Sequence, residues 1–191
     1  MADKILSAHV YDITKREFSK FNGNYFEIGI FNGQGTAEIA NLFPERTIYA
    51  LDPFIEDGYT LDNSLVSQGE NMETQRQAAY RNLGPYANVT IIEMLSSEFA
   101  KHLMAEDIIK FNVSWVVIDG SHHYEDVIVD AEMAKLLIDT KQGAIVFDDL
   151  QHEGVMQAYE EFKAKYAFRI VGEQLFGFEG SCGVLELGKK V

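Results

Sequence analysis

The sequence predicts a doubly wound α/β fold: a mostly parallel sheet with helices on both faces and an antiparallel hairpin at its C-terminal end. Three observations predict it. Short apolar runs alternate along the chain with segments of helical periodicity. The first such run, Tyr25 to Ile28, leads straight into a glycine-rich turn and then a helix-patterned segment. Two later runs, Trp115 to Ile118 and Ala144 to Phe147, each end in carboxylates and are separated by another helix-patterned segment. That is the layout of parallel strands joined by crossover helices. A chain of 191 residues fits one domain, 1–191, and can bury a substantial core.

Taken in order, residues 1–20 read as a mostly helical cap outside the sheet. Tyr25 to Ile28 is the first buried strand. Thr36 to Leu42 is a helix, stopped near Pro44. Thr47 to Leu51 is the second strand. Asp52 to about Glu73 is polar, carries Gly58 and Gly69, and reads as a long loop. Phe54, Tyr59 and Leu61 stand among its polar residues, so 53–73 suits a lid that excludes water from a transfer reaction. Thr74 to Leu83 is a helix ended by Gly84-Pro85. Val89 to Ile92 is the third strand, Ser97 to Met104 a helix and Ser114 to Ile118 the fourth strand, with Trp115 in the core. Between Tyr124 and Ile138, Val127, Ile128, Ala131, Ala134, Leu137 and Ile138 have the spacing of one helical face. Gly143 suits the exit of that helix. Ala144 to Phe147 is the fifth strand and Val155 to Tyr166 a helix. Phe168 to Val171 and Gly183 to Leu187 form the terminal hairpin. The chain has no internal repeat, low-complexity tract or Pro/Ser-rich linker.

Composition narrows the function. Hydrophobic residues make up 47% and charged residues 24%, an ordinary globular balance. The net charge of −14 repels phosphate backbones and anionic lipid, and no basic stripe offsets it. Nucleic acid and membranes are therefore not expected partners. No run approaches a membrane span and Met1-Ala-Asp-Lys-Ile5 does not read as a secretory signal, so a cytoplasmic location is expected. The single cysteine, Cys182, excludes an internal disulfide framework and a cysteine-rich metal site, and is expected to be a buried structural thiol.

Ligands of open α/β sheets bind at the carboxyl ends of the strands, and the candidate residues gather there. Glu27-Ile-Gly29-Ile-Phe-Asn-Gly33-Gln-Gly35-Thr36 places glycines directly after the first strand, where backbone and free helix N–H groups can approach a ligand. Its spacing, G-x-x-x-G-x-G, is not the dinucleotide fingerprint. Glu27 suits a cationic or zwitterionic ligand better than a pyrophosphate. A tight turn without a ligand is the plain alternative. Asp52 closes the second strand about 20 residues after Gly33, where an acid commonly accepts hydrogen bonds from ribose hydroxyls.

Asp119, Asp148 and Asp149 should meet at one sheet edge and offer oxygen donors to a hard divalent cation such as Mg²⁺. Adjacent carboxylates repel one another and a cation relieves the repulsion. His122, three residues beyond Asp119, is placed to act as a general base. His123 should point elsewhere, and His9, His102 and His152 have no supporting context. Zinc is not expected, because thiolates are absent and only His122 or His123 would supply nitrogen.

The Glu-x-Gly-x-x-x-Gly turn and Asp52 resemble class I S-adenosylmethionine-dependent methyltransferases, which are Rossmann-like. Ile118-Asp119-Gly-Ser-His122-His-Tyr124-Glu125, Asp130 and Gly143-Ala-Ile-Val-Phe-Asp148-Asp149 look like one subgroup, the macrocin-type O-methyltransferases and cephalosporin-hydroxylase-like proteins. The resemblance covers roughly residues 23–150. It implies that Glu27, Gly29 and Gly33 surround the methionine part of S-adenosylmethionine, that Asp52 holds the ribose and that Ser96 contacts the adenine end. It also implies Asp119, Asp148 and Asp149 as Mg²⁺ ligands and His122 as the base that deprotonates the acceptor hydroxyl. Catechol-type relatives commonly have lysine at the base position, so His122 points to the sugar-type branch. Two departures stand out. The usual Gly-Asp-Ser after the third strand reads Met94-Leu95-Ser96, without its acid, and the N-terminus is shorter than in many relatives.

The sequence therefore predicts a Mg²⁺-dependent O-methyltransferase with a small-molecule hydroxyl acceptor, a sugar being one candidate. A homo-oligomer is left open. Two other classes compete: a nicotinamide-dependent oxidoreductase, and a non-catalytic S-adenosylmethionine-binding protein.

Overall fold

The computed structural model describes residues 3–54, 72–138, 142–177 and 181–188. In chain order its elements are α1 (Asp3–Glu17), a 3₁₀ turn (Phe18–Lys20), β1 (Asn24–Ile28), α2 (Gln34–Leu42), β2 (Ile48–Leu51), α3 (Met72–Leu83) and β3 (Val89–Ile92). There follow α4 (Ser96–His102), α5 (Ala105–Phe111), β4 (Val113–Ile118), α6 (Tyr124–Leu137), β5 (Gly143–Phe147), α7 (Glu153–Lys165), β6 (Ile170–Phe176) and β7 (Cys182–Leu187).

The seven strands form one sheet in the order β3-β2-β1-β4-β5-β7-β6. The first five run parallel, and β7 pairs antiparallel with both β5 and β6. The predicted fold class is the observed one. The chain winds outward from β1 to β3, then returns to lay β4 on the other side of β1, so the order reverses between β1 and β4. In such sheets that reversal opens the ligand crevice.

Strands β4 and β5 are buried at every position, which explains their unbroken apolar runs. On one face Phe26, Val116, Ile145 and Phe147 pack with Val127, Ala131 and Ala134 of α6 and with Ala158 and Phe162 of α7. On the other, Tyr25, Trp115, Ala144 and Val146 pack with Val10 and Ile13 of α1, Phe18, Phe21, and Ile39 and Ala40 of α2. The N-terminal helix is thus one layer of the core. Trp115 is fully buried, as expected, and its indole N–H donates to Thr14 Oγ1 at 3.1 Å. Burying one such large side chain is worth ~1.5–3 kcal/mol. Cys182 is a buried free thiol.

Element boundaries mostly lie within two or three residues of the predicted ones. Two points differ. Helix α5 was not expected; it is only seven residues long, and Asp107 in its first turn accepts a hydrogen bond from Met104 N at 3.2 Å. Gly143, expected as a helix exit, is the first residue of β5. A Cβ there would meet Ser114 O at 2.7 Å, so strand packing requires the glycine. The lid expected over 53–73 falls mainly on 55–71, outside the described residues. Among the described residues no helix is long and apolar enough to cross a membrane.

Candidate active site

Strand register builds the site. Ile28 pairs with Leu51 and with Ile118, and Ile118 pairs with Phe147. The next residue on each strand is therefore Gly29, Asp52, Asp119 or Asp148, in one row along the carboxyl edge. Backbone bonds continue the ladder into that row: Gly29 N to Leu51 O at 2.9 Å, Asp119 N to Ile28 O at 2.9 Å and Asp148 N to Ile118 O at 3.1 Å. Among the described residues four non-glycines have positive φ, and three of them, Phe31, Phe54 and Asp149, follow these strand ends. Such backbone costs about 1–3 kcal/mol per residue and clusters at functional sites.

The turn after β1 needs its glycines. Gly29 has φ +83° and Gly33 φ +74°. A Cβ on Gly29 would lie 2.3 Å from Asp119 O, so the turn rests on the β4 end. Asp52 holds it from the other side: Oδ2 accepts from Ile30 N at 3.0 Å and Phe31 N at 3.2 Å, and Oδ1 from Phe54 N at 2.9 Å. Burial raises the Asp52 pKa, against those three bonds.

Glu27 is fully buried on the α1–α2 side of the sheet. It accepts from Tyr11 OH at 2.6 Å, Tyr25 OH at 3.0 Å and Thr36 Oγ1 at 2.8 Å. Burial outweighs these bonds and pushes its pKa up to about 7. Its carboxylate thus ties α1 and α2 to β1 directly behind the glycine turn. A Cβ on Gly35 would fall 2.0 Å from the Tyr11 ring, which shows how closely α1 covers the start of α2.

The three aspartates do converge. Burial, then the charges of Asp148, Asp149 and Glu27, hold the Asp119 carboxyl well above its ordinary pKa. Asp148 is 4% exposed, and burial together with the Asp149 charge brings it to about 7. Burial also acts upward on Asp149, but hydrogen bonds from His122 and Gln151 outweigh it and lower the pKa. Among the described residues, the charges acting most on this trio are one another's, Glu27's and those of His122 and His152.

His122 Nε2 lies 2.9 Å from Asp149 Oδ2. His152, for which the sequence suggested no role, stacks on His122 with ring centroids 4.0 Å apart and planes at 12°. Gly154 makes this possible: a Cβ there would lie 2.4 Å from His122 O, so the first turn of α7 packs directly on the His122 backbone. His152 N also donates to Asp149 O at 2.9 Å. The sequence signal was available in Asp148-Asp149-Leu-Gln-His152-Glu-Gly154, a histidine and a glycine just past the carboxylate pair.

Ser96 opens α4, the first helix after β3, and hydrogen-bonds Asp130 of α6. Asp130 is 3% exposed, its Oδ1 has no partner among the described residues, and burial raises its pKa to about 7 against the Ser96 bond.

A methyltransferase-domain family model matches residues 26–150, well over half of the chain. The chain belongs to that methyltransferase family. No curated protein matches it. Solved structures share the fold at low identity. CalS11, the TDP-rhamnose 3'-O-methyltransferase of calicheamicin biosynthesis, is 16% identical with a TM-score of 0.62, covering 94% of this chain and 78% of its own. A Staphylococcus aureus protein provisionally assigned as a caffeoyl-CoA O-methyltransferase is 17% identical with a TM-score of 0.66, covering 94% and 82%. The precorrin-6y C5,15-methyltransferase of Geobacter metallireducens GS-15 is 18% identical with a TM-score of 0.59, covering 95% and 88%. The protein is an S-adenosylmethionine-dependent methyltransferase. That sets aside the nicotinamide reading of its glycine turn.

In this methyltransferase the structure groups Gly29, Asp52, Asp119, Asp148, Asp149 and His122 at one sheet edge. Glu27 and Ser96 are instead engaged with Tyr11, Tyr25 and Thr36 and with Asp130 respectively.

Proposed function

We propose that this methyltransferase is an O-methyltransferase that uses a divalent cation, Mg²⁺, and methylates a hydroxyl of a small molecule, with sugar hydroxyls the first class to test. The carrying observation is the carboxylate trio Asp119, Asp148 and Asp149 with His122 Nε2 at 2.9 Å from Asp149. The donor set fits Mg²⁺: three oxygen-bearing groups whose charges repel one another. Burial, then the neighbouring carboxylate charges, raise the pKa of Asp119 and of Asp148, and a bound cation would offset both effects.

The residues then take these roles. Gly29 and Gly33 let the turn backbone approach the methionine end of the cofactor. Asp52 fixes that turn and keeps lone pairs for a ribose hydroxyl. Ser96, held by Asp130, sets the adenine end. When bound, the cofactor would supply the electrophilic methyl group, and Asp119, Asp148 and Asp149 would hold a cation whose chemistry there would be to lower the pKa of the acceptor hydroxyl. His122 takes the hydroxyl proton. Its tautomer follows from its partner: Nε2 donates to Asp149, so Nδ1 carries the accepting lone pair. Holding the reactants in line contributes much of the rate, on the order of 7–11 kcal/mol for a well-oriented bimolecular step. With one buried thiol and no expected nucleic-acid or membrane partner, a cytoplasmic enzyme is the reading we adopt.

The test is calorimetric titration of S-adenosylmethionine into metal-stripped protein with and without Mg²⁺, followed by methyl transfer to a panel of sugars and phenols. Binding with Kd near ~100 μM or tighter, about −5.5 kcal/mol, and Mg²⁺-dependent product on a hydroxyl are expected. Product formed equally well in chelator would overturn the cation's role. Cofactor binding with products on nitrogen or carbon only would overturn the O-methyltransferase reading.

A further inference from the structure

The geometry points to a metal site with a different donor set beside the carboxylate trio: His122, Asp149 and His152 bind a borderline divalent transition ion of the zinc or cobalt class. One potential ligand atom from each residue lies within 4.8 Å of the others. Two imidazoles and one carboxylate are poor partners for Mg²⁺, which selects oxygen, and good ones for the later first-row ions. Three protein ligands also leave coordination positions open.

The chain builds this arrangement rather than leaving it to side-chain chance. Asp149 stands in left-handed backbone at φ +60°. The His122 and His152 rings are parallel at 4.0 Å, and Gly154 allows the backbone contact that brings α7 against His122. All three residues are partly buried, whereas Asp148 is buried. Asp119 and Asp148 do not belong to this group, so the two donor sets share Asp149 alone.

A functional consequence rests on the O-methyltransferase reading above. His122 is the base there and Asp149 a Mg²⁺ ligand. A transition ion seated on His122, Asp149 and His152 removes both from methyl transfer. The two metal states exclude each other, and zinc acts as an inhibitor that excess Mg²⁺ relieves only partly, because the imidazole nitrogens favour zinc.

The probe is Co²⁺ itself, titrated into the metal-free full chain and followed by its visible d–d absorption, with Zn²⁺ displacing it. A band saturating at a single site is expected. In His152→Ala, or His152→Gln should the alanine variant fold poorly, affinity should fall on the order of 10–100-fold. In Asp119→Asn the band should persist. No band from folded protein, unchanged affinity in both His152 variants, or a band lost only in Asp119→Asn would overturn the site. Full turnover at Zn²⁺ concentrations that displace Co²⁺ would overturn the inhibition. S-adenosylmethionine calorimetry on the same preparation separates the two proposals: Co²⁺ binding without cofactor binding takes down the O-methyltransferase reading and leaves the metal site standing.

Discussion

Gly29 presses on Asp119: a Cβ on the glycine would lie 2.3 Å from the aspartate's carbonyl oxygen. The glycine turn after β1 and the carboxyl end of β4 are therefore one packed unit, held at a φ of +83° that side-chain-bearing residues rarely adopt. Gly29→Ala should lose about 1–3 kcal/mol to backbone strain alone, with the overlap adding to it. Cofactor affinity and metal affinity should fall together. Urea denaturation and calorimetry on the variant check this; loss of cofactor binding with metal binding untouched would argue against a shared unit.

The hydrogen bond from His122 to Asp149 makes a kinetic prediction. His122→Ala removes the proposed proton acceptor and should lower kcat by about 10²–10⁴-fold, while S-adenosylmethionine affinity stays unchanged. His122→Gln keeps a donor toward Asp149 and should be as slow, because the lost function is the lone pair on Nδ1. Single-turnover assays with calorimetry decide it, and a fast glutamine variant would mean that His122 only positions Asp149.

Metal binding should depend on pH through Asp148. Its folded pKa of about 7 lies above the ordinary 3.8, because burial and the Asp149 charge disfavour ionisation. Below pH 7 a proton therefore competes with the cation, and Mg²⁺ affinity should drop. Direct titration of Mg²⁺ on either side of pH 7 measures this apart from the base's own titration. Asp148→Asn should bind Mg²⁺ weakly at both pH values and lose Mg²⁺-dependent turnover with the fold intact. A flat wild-type affinity would show that Asp148 is not a ligand.

The fold was legible because its signals are local. β4 and β5 are buried at every position and read as unbroken apolar runs, and the glycines at 29 and 33 mark the turn by the conformation they permit. Strand ends carrying Asp52, Asp119 and Asp148 then follow from parallel register. What escaped was long-range. His152 meets His122 across a 30-residue gap only because Gly154 lets α7 touch that backbone, and Asp130 reaches Ser96 from a different helix. The histidine and glycine just past Asp148-Asp149 are a local hint of the first pairing, but neither pairing leaves a periodic signal in one sequence. Glu27 was legible as an acid beside the turn, but its three hydroxyl donors come from α1, β1 and α2, so its burial appears only once those elements pack.

That burial gives the last prediction. The Glu27 pKa stands at about 7 against an ordinary 4.5, chiefly from desolvation. A raised folded pKa means that the native state holds the proton longer than the unfolded chain. The contribution to stability is present in full below pH 4.5 and is lost as pH rises through about 7. At roughly 1.36 kcal/mol per pKa unit, the fall is about 3 kcal/mol. Glu27→Gln cannot ionise and keeps a carbonyl acceptor for the hydroxyls of Tyr11, Tyr25 and Thr36. Its unfolding free energy should gain on that of the wild type as pH rises across this window. Urea unfolding of both proteins from pH 4.5 upward measures the difference directly. Parallel curves would mean that Glu27 is ionised throughout, with its three hydroxyl donors outweighing burial.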